Sequence, residues 1–215
     1  MIVRRLSLDD SPALHALYQQ SPQYFRVISM PMPNLLDIHA ELETGLSDPR
    51  RELCFLYSLS EDGMLSDGVE GLQDAALGDQ PLGSGQLMQS DASRLTARPS
   101  SSVVPVNAEP LGYLDLKCDY PNPGDATINL LLISELCQSR RFGSQAVEWL
   151  EEHLRGRGCR RVLASVYGHN PRAVRFWERL GYRFAVDARP VLEWYAKALA
   201  PDAPSDGPQP LVAAP

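Results

Sequence analysis

Seven residues, Gln138, Ser139, Arg140, Arg141, Phe142, Gly143 and Ser144, stand between a continuously apolar run and a segment of helical periodicity. A polar turn that feeds a helix leaves backbone N–H groups without intrahelical acceptors. Such groups, at the positive end of a helix dipole, bind phosphate. Arg140 and Arg141 add guanidinium charge suited to the same ligand, and Gly143 has no Cβ to obstruct it. A second constellation begins at Asn170–Pro171, a good cap and first helical residue. It continues through Ala173, Val174, Phe176, Trp177 and Leu180 on one stripe and stops at Gly181–Tyr182.

The elements that must hold these turns can be read outward from them. Leu130 to Ile133 is continuously apolar, as in a strand covered on both faces. The helix after the turn runs to about Leu154, with Ala146, Val147, Leu150 and Leu154 inward and Gly156 and Gly158 as stops. Arg161 to Tyr167 is the next strand, parallel to the previous one because a helix provides the crossover. Upstream, Leu111 to Asp119 and Thr127 to Ile133 flank the turn Pro121–Gly124 and form a hairpin. Ile2 to Leu6 and Glu52 to Leu59 are further strands. A helix starts near Pro12, and a second covers Leu35 to Leu46 with Leu35, Ile38, Leu42 and Leu46 on one face. The segment from Met30 to Pro33 breaks the chain between them.

From about residue 60 to 110 the chain is rich in Gly, Ser, Asp, Gln and Pro. It reads as a disordered acidic insertion within a single domain spanning 1–199, and 200–215 as a disordered tail. A partner-docking arm is the alternative reading of the insertion. The chain has 215 residues and a formal net charge of -7, which argues against general nucleic-acid binding. Arginine is dense between Arg140 and Arg183, which fits either codon preference or phosphate binding. The cysteines, Cys54, Cys118, Cys137 and Cys159, form no zinc-ligand or C-x-x-C pattern, as expected of reduced thiols in a cytoplasmic protein with no metal. Cys137 lies beside the turn, but no histidine adjoins it in sequence to activate it. His15, His39 and His153 read as solvated helix residues. There is no signal-peptide core and no run long enough to span a membrane.

The unit from Leu111 to Tyr195 resembles the GNAT superfamily of acyl-CoA-dependent N-acyltransferases. The phosphate-loop motif Q/R-x-x-G-x-G/A stands here as Gln138-Ser139-Arg140-Arg141-Phe142-Gly143. The second motif stands as Asn170-Pro171-Arg172-Ala173, Phe176-Trp177 and Leu180-Gly181-Tyr182. The resemblance implies an α/β GNAT fold, a mixed and mostly antiparallel sheet flanked by helices with a central parallel splay. It implies acetyl transfer from acetyl-CoA to a small-molecule or peptide primary amine, and allows a homodimer. Backbone groups of Leu131, Leu132 and Ile133, at a bulge where the two parallel strands splay, would pair with the pantetheine arm. Those from Gln138 to Ser144 would hold the pyrophosphate, and Asn170, Phe176 and Trp177 would meet the cofactor.

Two positions depart from the family pattern. Arg141 replaces the first motif glycine. Trp177 stands where many members have a tyrosine that protonates the leaving thiolate, and an indole N–H is no practical acid. No general base can be picked out. Asp125, Asn129, Glu135, Tyr167 and His169 are candidates by position. No nucleophile–base pair is visible, so direct attack in a ternary complex is expected. A non-catalytic acyl-CoA-binding or regulatory domain is the alternative that Arg141 and Trp177 favour.

Overall fold

The computed structural model describes residues 1–58, 108–189 and 192–200. The expected insertion lies outside the described residues apart from 108–110, as does the tail after Ala200. Strands β1 (Ile2–Arg5), β2 (Arg51–Tyr57), β3 (Gly112–Cys118), β4 (Asp125–Ile133), β5 (Arg161–Tyr167), β6 (Arg183–Arg189) and β7 (Leu192–Ala198) form one sheet in the order β1-β2-β3-β4-β5-β7-β6. Every pairing is antiparallel except β4 with β5. The helices are α1 (Ser11–Gln19), α2 (Pro22–Val27), α3 (Leu35–Ser47), α4 (Phe142–Gly156) and α5 (Pro171–Arg179).

Alternation along the strands sorts side chains into two cores. Leu53, Phe55, Tyr57 and Tyr113 join α1 and α3 on one face. Cys54, Leu56, Leu114 and Leu116 join α4 and Trp177 on the other. In β4 the phase changes. Ala126 and Ile128 belong to the α4 core, whereas Leu132 belongs to the α1–α3 core. Leu130 pairs with Asp115 and Ile128 with Leu116, so Asn129 is the extra residue of a bulge. One extra residue sends every later side chain to the opposite face.

Immediately after the bulge the sheet opens. β5 follows β4 only from Asp125–Arg161 to Ile128–Ala164, then stays with β7 as far as Tyr167. Leu130, Leu131 and Ile133 are consequently half-buried. Their apolar run implied cover on both faces; β5 has instead turned away and left this end of the strand open.

The first helices depart from expectation in detail. Asn34 caps α3, its Oδ1 accepting from the N–H groups of Leu36 at 2.8 Å and Asp37 at 3.0 Å. The buried stripe is Ile38, Leu42 and Gly45, while Leu35 and Leu46 are exposed. A Cβ at Gly45 would lie 2.7 Å from Leu53 Cδ1. The helix therefore turns its glycine toward β2 and its neighbour Leu46 outward. α2 was not expected. It has six residues, too few to show a period, and is anchored by Phe25, whose ring meets Tyr18 edge-on at 5.1 Å.

The closed end of the β4–β5 pair is held by a buried fork. Arg161 donates from Nε to Asp125 Oδ1 at 3.0 Å and from Nη2 to Oδ2 at 2.6 Å, and Asn122 Nδ2 adds a third bond at 3.0 Å. Removing one member of such a pair strands a buried charge. Asp125→Ala should lower unfolding free energy by about 3–5 kcal/mol in a urea titration.

Candidate active site

The open end of β4 leads directly into the polar turn. After the 3-10 turn Glu135–Cys137, Gln138 Nε2 donates to the Ile133 carbonyl at 2.9 Å and holds the turn against the strand. Ser139 and Arg141 both adopt left-handed backbone, with φ of 63° and 67°. Arg141 therefore bears a Cβ penalty at the place where the resembling motif has glycine. α4 starts here without a side-chain cap. Its N–H groups from Phe142 to Ser144 precede the first intrahelical bond, Gln145 N–H to the Arg141 carbonyl at 3.0 Å. α5, by contrast, is capped by Asn170 Oδ1, which accepts from Ala173 N–H at 3.0 Å.

Gly143 serves a contact that its sequence did not reveal. A Cβ there would lie 3.3 Å from the Phe176 ring and 3.8 Å from Ile133 Cγ1. The missing side chain lets the first turn of α4 close on α5 beside the open strand. Trp177, the next residue on α5, is 4% exposed. Its ring lies between those of Phe176 and Tyr182, with both centroid distances at 4.9 Å.

On the opposite face of the sheet a cavity of about 670 Å³ opens between the first three helices and the strands. Asn129 and Leu130 at the bulge border it, with Tyr167 at the end of β5. Tyr18, Tyr24 and Phe25 supply aromatic surface. Its charges are mostly matched. Arg51 donates from Nε to Asp115 Oδ1 at 2.9 Å and from Nη2 to Oδ2 at 2.5 Å. Asn129 Nδ2 donates to the same Asp115 Oδ1 at 3.1 Å. Lys117 Nζ lies 2.8 Å from Asp48 Oδ2. Glu41, on α3, has no hydrogen bond or ion pair among the described residues. Burial, aided by the Asp115 charge and opposed by Arg51, holds its carboxyl above the usual glutamate range.

The structure thus brings two of the positional candidates, Asn129 and Tyr167, to one cavity. Asp125 lies at the closed end of β4, engaged with Arg161. Glu135 Oε1 accepts from Gln23 N–H at 2.7 Å and ties the turn to α2. His169 is exposed before α5. Cys137 is half-buried; Cys54 and Cys118 are buried thiols, pushed up by that burial to about 12 and about 11. Glu41 and Asp115 were missed by sequence reasoning. Each carried a signal: Glu41 falls three residues after the buried Ile38, on the inward stripe, and Asp115 interrupts the apolar strand Gly112–Cys118.

The Acetyltransferase (GNAT) family model matches residues 70–182. The crystal structure of an acetyltransferase from Thermus thermophilus is 32% identical, with 92% of this chain and 96% of that one covered and a TM-score of 0.66. With its strand splay and polar turn in place, the chain belongs to the GNAT acetyltransferase family. The PaiA N-acetyltransferase of Thermoplasma acidophilum, solved in complex with coenzyme A, shares the fold at 11% identity, TM-score 0.54, over 92% of this chain and 98% of that one. So does a spermidine N-acetyltransferase chimera derived in part from Vibrio cholerae, at 11% identity, TM-score 0.54, over 93% and 96%. A search of curated protein sequences gives no match. Among the described residues no helix is long and apolar enough to cross a membrane.

Trp177 has the contacts of a packing residue. Trp177→Phe removes ring volume from a filled core. It should cost about 1–2 kcal/mol of stability by denaturant titration, with acyltransferase turnover within threefold of the parent. A folded variant with a hundredfold slower turnover would show instead that the indole N–H acts in the reaction.

Proposed function

We propose that the protein transfers an acetyl group from acetyl-CoA to a primary amine by direct attack in a ternary complex. The observation that carries this reading is a juxtaposition at Asn129–Ile133. An open strand edge and the uncapped start of α4 lie beside this segment, and the 670 Å³ cavity borders its first residues. The amides of Phe142, Gly143 and Ser144, with Arg140 and Arg141 exposed beside them, suit a pyrophosphate. The edge from Leu131 to Ile133 suits an extended, amide-bearing arm, and Asn170 has its amide nitrogen left over from capping α5. That the PaiA protein was solved with coenzyme A, and that spermidine is the amine named for the chimera, support a CoA thioester and an amine here.

In this arrangement the chain mainly positions. Holding both reactants across the bulge replaces a bimolecular encounter with an oriented one. A backbone N–H at the open edge of β4 would stabilise the carbonyl oxygen as charge develops on it. Trp177 offers no ionisable proton, so the departing thiolate would receive its proton from the attacking nitrogen or from water.

The test is thiol release from acetyl-CoA across a panel of primary amines. Saturable, amine-dependent release supports the reading; tight binding with no turnover of any amine would make this a non-catalytic acyl-CoA-binding protein. The loop gives a second check. Arg141→Gly relieves a left-handed side chain and should raise stability by about 0.5–1 kcal/mol. It also removes a guanidinium from the phosphate site. Calorimetry should show acetyl-CoA binding about fivefold weaker, or about 1 kcal/mol, with a shallower dependence on salt.

A further inference from the structure

A primary amine is an ammonium ion at neutral pH and cannot attack until a proton leaves it. The cavity beside Asn129 and Leu130 is lined by the carboxylates of Glu41, Asp48 and Asp115. Asp115 is gripped by both arms of Arg51 and by Asn129, and Asp48 by Lys117. Glu41 alone of these three lacks a side-chain partner among the described residues. The groups facing it are Asp115 and Tyr113 on β3, Arg51 on β2, Tyr18 on α1 and Tyr24 on α2. Burial pushes all three phenols above their ordinary range, so none competes as a base. Arg51 is already committed to Asp115. A half-buried carboxylate without its own cation either takes up a proton or is matched by a cation brought in from solution.

Resting on the N-acetyltransferase reading, we infer that Glu41 is the general base, and that the acceptor is a primary amine with a single positive charge on an apolar body. One unmatched carboxylate beside the aromatic surface of Tyr18, Tyr24 and Phe25 suits one ammonium and a hydrocarbon or aryl group, not a chain of charges. Glu41 takes one proton from the ammonium. The freed lone pair forms the C–N bond to the acetyl carbon as the thioester C–S bond breaks. The second nitrogen proton goes to the departing thiolate, and Glu41 later returns its own to solvent. The products are amide, CoA thiol and one proton.

The raised carboxyl also predicts how stability responds. A glutamate whose folded pKa lies above its unfolded value costs stability at neutral pH, where it is ionised, and costs nothing below both values. Glu41→Gln should therefore raise the melting temperature at pH 7. That gain should shrink as pH falls through the raised pKa. The same variant should lose about a hundredfold in kcat at pH 7, with acetyl-CoA affinity by calorimetry unchanged within twofold. Its residual rate should climb with pH as free amine accumulates, whereas the parent kcat/KM should show an acid limb above the ordinary glutamate range. Glu41→Asp should restore part of the rate. Phenylalkyl and alkyl monoamines should exceed spermidine in kcat/KM by at least tenfold. A Glu41→Gln protein with parental kcat and pH profile, or one that no longer folds, overturns the assignment of the base. Preference for spermidine overturns the acceptor class. Failure of the parent protein to acetylate any amine overturns the N-acetyltransferase reading, and this inference with it.

Discussion

The structure turns on the separation of β4 from β5 after Ile128. Up to that residue the two strands are hydrogen-bonded in parallel, and Ala126 and Ile128 share one core with Val162 and Ala164. Beyond it, five residues of β4 lose that neighbour, and the cost of unpaired backbone demands another partner. The bulge at Asn129 falls at the point of separation. It bends the strand and redirects Leu132 to the opposite core. It also places the Asn129 side chain on Asp115, over the cavity. Separation, change of face and cavity are therefore linked to one inserted residue. The Asp125–Arg161 fork holds the pair closed four residues earlier and fixes where the opening starts.

A second constraint acts where α4 meets α5. Elements that flank a cleft must stay apart along it and still touch at its end. Gly143 allows that touch, since its absent Cβ admits the Phe176 ring. Phe176 in turn packs on Trp177, and Trp177 on Tyr182. Rigidity at the cleft end thus comes from apolar contact, which leaves the α4 amides free of any cap. Filling those amides with a side-chain cap would stabilise the helix but would occupy the donors an anion needs. The left-handed Arg141 adds strain at the same point. A helix start that combines strain with uncapped amides is understandable where ligand binding compensates.

Much of this half of the molecule was legible because its signals are local. Asn170, Pro171 and Gly181 cap, start and stop α5 through their own backbone and side-chain geometry, and the structure places them so. β5 was bounded correctly at Arg161 and Tyr167 by its composition. The bulge was expected only through the family resemblance and not from the residues themselves, because Leu130 to Ile133 is uniformly apolar and a change of face leaves no trace in such a run. α2 was hidden by its length. β6 and β7 were not read as strands at all. Their pairing with β5 is a long-range fact, and β6 is an outer strand with Phe184 exposed, so it shows no clear alternation. Cavity residues were illegible for a related reason. Arg51, Asp115 and Asn129 are separated by up to 78 positions in sequence yet share one hydrogen-bonded group, and no local pattern announces a partner that distant.

The charges of the cavity are mostly matched within the protein itself. Its two cations do not create a basic site, because each is bound at short range to a carboxylate, Arg51 to the buried Asp115 and Lys117 to the more accessible Asp48. Pairing Arg51 with Asp115 has a further effect. It fixes Asn129 through Asp115 Oδ1, so the residue at the bulge has its amide oriented before any ligand arrives. Glu41 differs in that burial raises it without a compensating partner. Selection for folding alone would favour a neutral or apolar residue at that point on the inward stripe of α3, next to the fully buried Leu42. An unmatched carboxylate that persists there, on the same cavity as Asn129 and Leu130, holds no side-chain partner among the described residues and fits the role inferred for it.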